Sequence, residues 1–311
     1  MKKTKKYSGV VVPMVTPFTD RGKIDGPAAV RIAEFLVSDG CCPFLLGTTG
    51  ESASIPDPER PRFVETVVRQ VAGRTLVYAG IAGNCLGQSI AAARTYRDLG
   101  ADVAVAHLPT YYALTPLQIR TYFETLADSI PLPLVVYNIQ ATTHMSIPLE
   151  LVEALSHHPN IVGLKDSERI PERLESAVRA YRDREDFSHF CGWASQSAHA
   201  LELGSDGLVP STGNIAPKRF HKLYQAACSG DFDTARRLQQ ETDAIAAVYQ
   251  NDKLLGESLA ALKAMMGALH LCGPDMLPPL SRLDPKEEKR IQERMEGLGN
   301  VMPRMESQKL A

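Results

Sequence analysis

Eight short apolar runs recur along this chain, at residues 10–15, 44–46, 76–81, 103–106, 134–137, 161–165, 187–191 and 207–209. They are continuous rather than alternating, which suits strands buried on both faces of a parallel sheet. Between them apolar residues fall at helical spacing, as in Ala28, Ile32, Phe35 and Leu36, or Ile119, Tyr122, Phe123 and Leu126. One strand and one helix repeat about every 28 residues, and eight such units close a (β/α)8 TIM barrel of the α/β class. An open doubly wound sheet competes with this reading, but no G-x-G-x-x-G follows the first run. Past Cys228 the strand pattern stops, and 231–249, 254–271 and 285–298 read as helices. The sequence therefore predicts a barrel over 1–229 and a C-terminal helical extension over 230–311, with Gly230 placed to end the preceding helix.

Charge and cysteine usage narrow the function. With 34 Lys and Arg against 36 Asp and Glu, the net charge of −2 offers no broad field for nucleic acid or an anionic membrane. The basic run Lys2, Lys3, Lys5 and Lys6 reads as a solvated tail, and Pro13, Pro17, Asp20 and Arg21 interrupt the stretch behind it too soon for a signal peptide. No window approaches the roughly 18 apolar residues of a membrane span, so a cytoplasmic location is expected. Six cysteines without a C-x-x-C pair fit buried thiols in a reducing compartment rather than a zinc site. His157 and His158, neighbours at a helix end, point to different faces. Neither a metal nor a cofactor is expected.

In a barrel of this kind the C-terminal strand ends and the loops after them build the active site. Lys165 ends the run 161–164, Tyr137 ends 134–136, and Gly47-Thr48-Thr49-Gly50-Glu51 follows 44–46. A lysine carried into apolar surroundings loses the hydration that favours its charged form, and a neutral amine is what attacks a ketone to make an imine. Alone, Lys165 reads equally well as a lysine reaching its head to water. Tyr137 lies one unit earlier, on the adjacent strand at the same end, within plausible reach to relay protons. The loop from Gly47 offers backbone N–H groups and two hydroxyls to a small carboxylate.

These residues resemble the dihydrodipicolinate synthase and N-acetylneuraminate lyase group of class I aldolases. Gly47 to Glu51, Tyr137-Asn138 and Gly163-Leu164-Lys165-Asp166 stand in that family's order, and the likeness runs from Gly9 to beyond Gly273. The resemblance implies that Lys165 forms a Schiff base with pyruvate or a related 2-oxo acid. It implies that Tyr137 shuttles protons and that Thr48 with Thr49 holds the carboxylate. Tyr112, second of the pair Tyr111-Tyr112, is implied to join the relay from a neighbouring subunit, which makes a homo-oligomer, usually a tetramer, the expected form.

The chain also departs from that pattern. Thr142 stands where the synthases carry an arginine for a second carboxylate, a change that weakens such a substrate by roughly a few kcal/mol. In the synthases' lysine-feedback pocket only Asn84 matches, while Asp57, Arg60 and Gln88 differ. The lyases' acidic pair is absent after Gly192-Trp193, although Ser211 matches a sugar-contacting serine. The remaining pocket of Thr142, Thr143, Ser195, Gln196, Ser211, Thr212 and Asn214 reads as neutral. The expectation is an aldolase or dehydratase of 2-oxo-3-deoxy sugar acids. The alternatives are the synthase itself, condensing pyruvate with aspartate semialdehyde, and a non-catalytic 2-oxo acid binder.

Overall fold

All eight runs are strands. In the computed structural model, which describes residues 5–302, they are β1 (Gly9–Pro13), β2 (Cys42–Leu45), β3 (Tyr78–Gly80), β4 (Val103–His107), β5 (Leu134–Asn138), β6 (Ile161–Asp166), β7 (Ser188–Cys191) and β8 (Gly207–Leu208). Each pairs in parallel with the next and β8 pairs with β1, so the barrel closes and leaves no edge. Because side chains alternate along each strand, Val11, Phe44, Tyr78, Val103, Val105, Val135, Tyr137 and Phe190 pack together inside the barrel. Val10, Val12, Leu45, Ala104, Ala106, Val136 and Leu164 join the layer between strands and helices. Glycine makes room for one interior ring: a Cβ on Gly207 would lie 2.6 Å from Phe190 Cδ1.

The outer layer begins with α1 (Gly26–Ser38), α2 (Arg60–Val71), α3 (Leu86–Asp98) and α4 (Pro116–Ser129). Asp25 caps α1 by accepting from the Ala28 N–H, and Thr115 with Gln118 forms a capping box on α4. The β5–β6 connection is divided into a single turn, α5 (Gln140–Thr143), and α6 (Leu149–Leu155), which starts behind Pro148. Then come α7 (Pro171–Tyr181), α8 (Ser197–Leu203) and α9 (Pro217–Cys228).

The extension consists of α10 (Phe232–Gln250), α11 (Leu255–Ala268) and α12 (Pro285–Gly297). Gly230 adopts φ +82° just past α9, as the left-handed end of a helix requires. Every residue of α11 from Ser258 to Met266 is buried, so this helix is covered on all sides and shares one apolar cluster with the barrel's outer layer. Among the described residues no helix is long and apolar enough to cross a membrane.

Two expectations need correction. Lys5 is not a solvated tail residue: its Nζ donates to the Tyr181 and Phe187 carbonyls and to Asp206 Oδ2, each at 2.8 Å. Lys2 and Lys3 lie outside the described residues. All six cysteines are free, but only Cys41, Cys191 and Cys272 are buried, whereas Cys85 and Cys228 are exposed. The Lys5–Asp206 pair is nearly inaccessible, at 5% and 3% exposure, so removing one member leaves the other charge buried without its counter-ion in this pair. Lys5→Met should lower unfolding stability by about 3 kcal/mol in denaturant titration, and an unchanged midpoint would contradict this staple.

Candidate active site

Strand register determines which side chains meet. His107 of β4 pairs with Tyr137 of β5, and Tyr137 pairs with Lys165 of β6, so three adjacent strands present these residues at one level. All three share the interior parity of Val103, Val105 and Val135. Lys165 is 5% exposed, with Nζ 3.6 Å from the centroid of the Tyr137 ring and 4.9 Å from that of Phe44. It forms no ion pair with any described residue. Burial pushes its amine below the ordinary lysine range, and the Tyr137 phenol opposes this only in part.

The adjacent acidic group cannot serve as a counter-ion, because alternation turns Asp166 to the other side of β6. There it accepts from Asn138 Nδ2 at 2.9 Å and Arg173 Nε at 2.7 Å. Asn138 also donates to Glu168 at 2.9 Å and accepts the Ile147 N–H at 3.0 Å. The two dipeptides Tyr137-Asn138 and Lys165-Asp166 thus divide their work. The inner residues face the cavity, and the outer ones clamp the loop that covers it.

A cavity of about 820 Å³ opens above Lys165 at the C-terminal ends of the strands. Of the expected site residues, Lys165, Tyr137, Thr48, Thr49, Thr142 and Ser211 line it. Gly47 is buried behind it; a Cβ there would lie 2.9 Å from the Phe44 ring, the same ring that flanks the amine. Tyr112 does not line the cavity of its own chain. It is 69% exposed and stacks edge-on against Tyr111 with centroids 4.9 Å apart.

The loop carrying Thr48 and Thr49 is held from several sides. Thr16 Oγ1 donates to the Gly50 carbonyl at 2.7 Å, and a Cβ on Gly50 would approach the Met14 carbonyl to 2.9 Å. Glu51 leaves the loop at φ 55° and pairs with Lys263 of α11, both side chains being at most 1% exposed. Burial pushes the Glu51 carboxyl up while Lys263 opposes it. The extension therefore reaches the loop through a buried ion pair.

The expected neutral pocket is corrected in part. Thr143 spends its hydroxyl on the Ile139 and Met145 carbonyls, Thr212 meets the Tyr249 hydroxyl at 2.9 Å, and Asn214 bonds to the backbone of Pro13 and Val15. Ser195 and Gln196 do not line the cavity. His144, the charged Glu168 and Arg169, and Tyr249 and Lys253 of the extension line it instead. The extension residues had no signal of their own, since the apolar pattern of α10 does not reveal which turn meets a strand end.

His107 was also overlooked. Its Nδ1 lies 2.8 Å from the Leu108 carbonyl, and its ring meets that of Tyr137 at 73° with centroids 6.1 Å apart. Burial lowers its pKa, the hydrogen bond to the Leu108 carbonyl opposes this in part, and the charge of Lys165 adds a smaller lowering. A neutral imidazole that donates Nδ1–H to Leu108 keeps Nε2 as an acceptor beside Tyr137. Among the described residues no cluster of His, Cys, Asp and Glu is arranged to hold a metal ion.

A closed parallel barrel with an uncompensated amine buried at the end of its sixth strand defines an enzyme class, the class I aldolase type of lyase. Residues 6–297 match the model of the dihydrodipicolinate synthetase family, and the chain belongs to that family. It is 29% identical over 296 residues to a 4-hydroxy-tetrahydrodipicolinate synthase of Alkalilimnicola ehrlichii, covering 95% of this chain and 100% of that one. It is 31% identical over 248 residues to YjhH of Escherichia coli, described as a probable 2-dehydro-3-deoxy-D-pentonate aldolase, covering 79% and 82%. The structure of E. coli YagE, a member of the same family in complex with pyruvate, superposes with a TM-score of 0.89 at 27% identity, covering 94% and 99%.

The Lys165 environment makes a pH prediction with a definite sign. A protonated amine cannot attack, so a lowered pKa extends reactivity to lower pH. The rate of pyruvate imine formation should have its acid limb below the ordinary lysine value of 10.5. Tyr137→Phe removes the phenol that favours the charged amine, so the limb should move to still lower pH, while the maximal rate falls on the order of 10²-fold. A limb that stays put or rises would contradict the coupling.

Proposed function

We propose that this chain is a Schiff-base lyase, an aldolase or dehydratase acting on pyruvate or a 2-oxo-3-deoxy sugar acid, with Lys165 as the reacting amine. The observation that carries the reading is the Lys165 amine itself, held between the Tyr137 and Phe44 rings without a counter-ion beneath a cavity of about 820 Å³. That volume lies in the range of sites for ligands considerably larger than pyruvate.

In this reading the amine attacks the C2 carbonyl, and the carbonyl oxygen leaves as water after proton delivery through Tyr137 and Thr48. The resulting iminium draws electrons from a σ bond on C3, the carbon next to C2. For aldol cleavage the C4 hydroxyl gives up its proton, the C3–C4 bond breaks, and an aldehyde and an enamine form. The enamine takes a proton at C3, and water releases pyruvate. For dehydration a C3 proton is removed instead and the C4 hydroxyl leaves as water.

Thr48, Thr49 and the backbone from Gly47 hold the carboxylate, while Thr142 and Ser211 face the hydroxylated tail. Tyr112 joins the relay when a second copy of the chain delivers it, which favours a homo-oligomer, and we infer a cytoplasmic enzyme. The barrel over 1–229 carries the chemistry, and from the extension over 230–311 Tyr249, Gln250, Lys253, Leu255, Ser258 and Leu259 line one side of the cavity. Thr142 in place of an arginine, together with the likeness to YjhH, supports a sugar-acid substrate over aspartate semialdehyde.

The test is a panel of 2-oxo-3-deoxy sugar acids, assayed for released pyruvate or for a dehydrated dioxo acid, beside pyruvate with aspartate semialdehyde. A sugar acid should be turned over, and Lys165→Ala should lose activity by on the order of 10⁴-fold or more with its fold intact. Undiminished turnover by Lys165→Ala, or productive reaction with aspartate semialdehyde alone, would overturn the reading.

A further inference from the structure

Apart from the reacting amine of Lys165, the carboxylate, ammonium and guanidinium groups along the cavity wall are satisfied within the chain with one exception. Lys253 Nζ sits 2.7 Å from Glu287 Oε1. Glu168 Oε2 accepts from Asn138 Nδ2 at 2.9 Å and from the Ser146 hydroxyl at 2.6 Å, with Arg173 Nε at 3.5 Å. Arg173 is in turn bonded to Asp166 at 2.7 Å. Arg169 is the exception. It borders the cavity, is exposed to solvent, and makes no hydrogen bond or ion pair with any described residue, although the carboxylate of Glu168 is its immediate neighbour in sequence. Glu168 is bonded to Asn138 and Ser146 instead.

Arg169 is also placed correctly for a substrate anchored at Lys165. It lies four residues beyond that lysine in the loop between β6 and α7, and four residues of chain span at most about 14 Å. The Arg169 backbone therefore lies within that distance of Lys165, and the residue borders the same cavity. Its charge is felt by buried Tyr249, whose phenol is pushed up by burial and drawn down by Ser211, Thr212, Gln250 and, last, Arg169. Tyr249 does not tie up the arginine, since its hydroxyl already meets Ser211 at 2.8 Å, Thr212 at 2.9 Å and Gln250 at 2.8 Å.

We infer that Arg169 forms a subsite for an anionic group, a carboxylate or a phosphate, at the end of the substrate remote from the carbonyl that Lys165 captures. This inference deepens the proposed function and rests on it. A guanidinium is permanently charged, weakly hydrated and forked, which suits bidentate binding of either anion. The guanidinium missing at Thr142 is thereby supplied from a different strand end, so the second anion sits elsewhere relative to the reacting carbon. The substrate class becomes a 2-oxo acid with negative charge at both ends.

Three six-carbon probes that differ only at C6 test this: 2-oxohexanoate, 2-oxoadipate and 6-phospho-2-oxohexanoate. Each competes with radiolabelled pyruvate for borohydride trapping on the full-length enzyme, and the readout is the concentration that halves the trapped label. In the wild type at least one anion-ended probe should compete tenfold or more better than 2-oxohexanoate, and the better of the two identifies carboxylate or phosphate. In Arg169→Met that ratio should fall to near one, and Arg169→Lys should keep part of it. Equal competition by all probes in the wild type, failure of all to compete, or a ratio that survives Arg169→Met would overturn the subsite. Failure of the wild type to trap pyruvate at all would instead remove the Schiff-base reading beneath it.

Discussion

The site depends on one costly placement: a lysine amine is carried into the interior face of a closed barrel and given no counter-ion. Desolvation disfavours the ammonium, and the two aromatic faces beside Nζ return only a fraction of what water supplied. The rest of the structure makes that placement possible. Closure of β8 onto β1 removes flexible edges, parallel register brings Tyr137 level with Lys165, and alternation sends Asp166 outward to Arg173. Had the register of β6 slipped by one residue, the carboxylate would have faced the cavity and the amine the helices.

The extension belongs to the same arrangement. Lys263 enters from the buried stretch of α11 to meet Glu51 at the end of the carboxylate loop, and Tyr249 at the end of α10 gathers Ser211 and Thr212 from the β8 side. A buried ion pair adds little net stability over an apolar substitute, but it is intolerant of losing one partner. It therefore fixes the position of Thr48 and Thr49 relative to the extension more firmly than apolar packing alone would.

Much of this was legible in the sequence for a physical reason. Strands buried on both faces leave continuous apolar runs, so all eight could be located, and a polar residue ending such a run marks the catalytic face. Lys165, Tyr137 and the loop from Gly47 stood out on that ground. Sequence could not show where a hydroxyl spends its hydrogen bonds: Thr143, Thr212 and Asn214 read as free pocket groups but serve backbone and Tyr249. Nor could it show which surface charges are neutralised, so Arg169 looked no different from Arg173. His107 was hidden because it follows an apolar run by a single residue, and only the register with Tyr137 reveals that it faces inward. Lys5 shared its basic run with residues outside the described region, and the carbonyls and carboxylate that its Nζ meets lie 176 or more positions away.

The most direct measurement is to incubate the protein with pyruvate, reduce with borohydride, and locate any adduct by intact mass and peptide mapping. A single adduct on the peptide containing Lys165, absent from Lys165→Ala, is the result expected if this amine is the nucleophile. An unmodified protein, or an adduct on any other lysine, would contradict the claim that the buried, uncompensated amine of the sixth strand is the group that reacts.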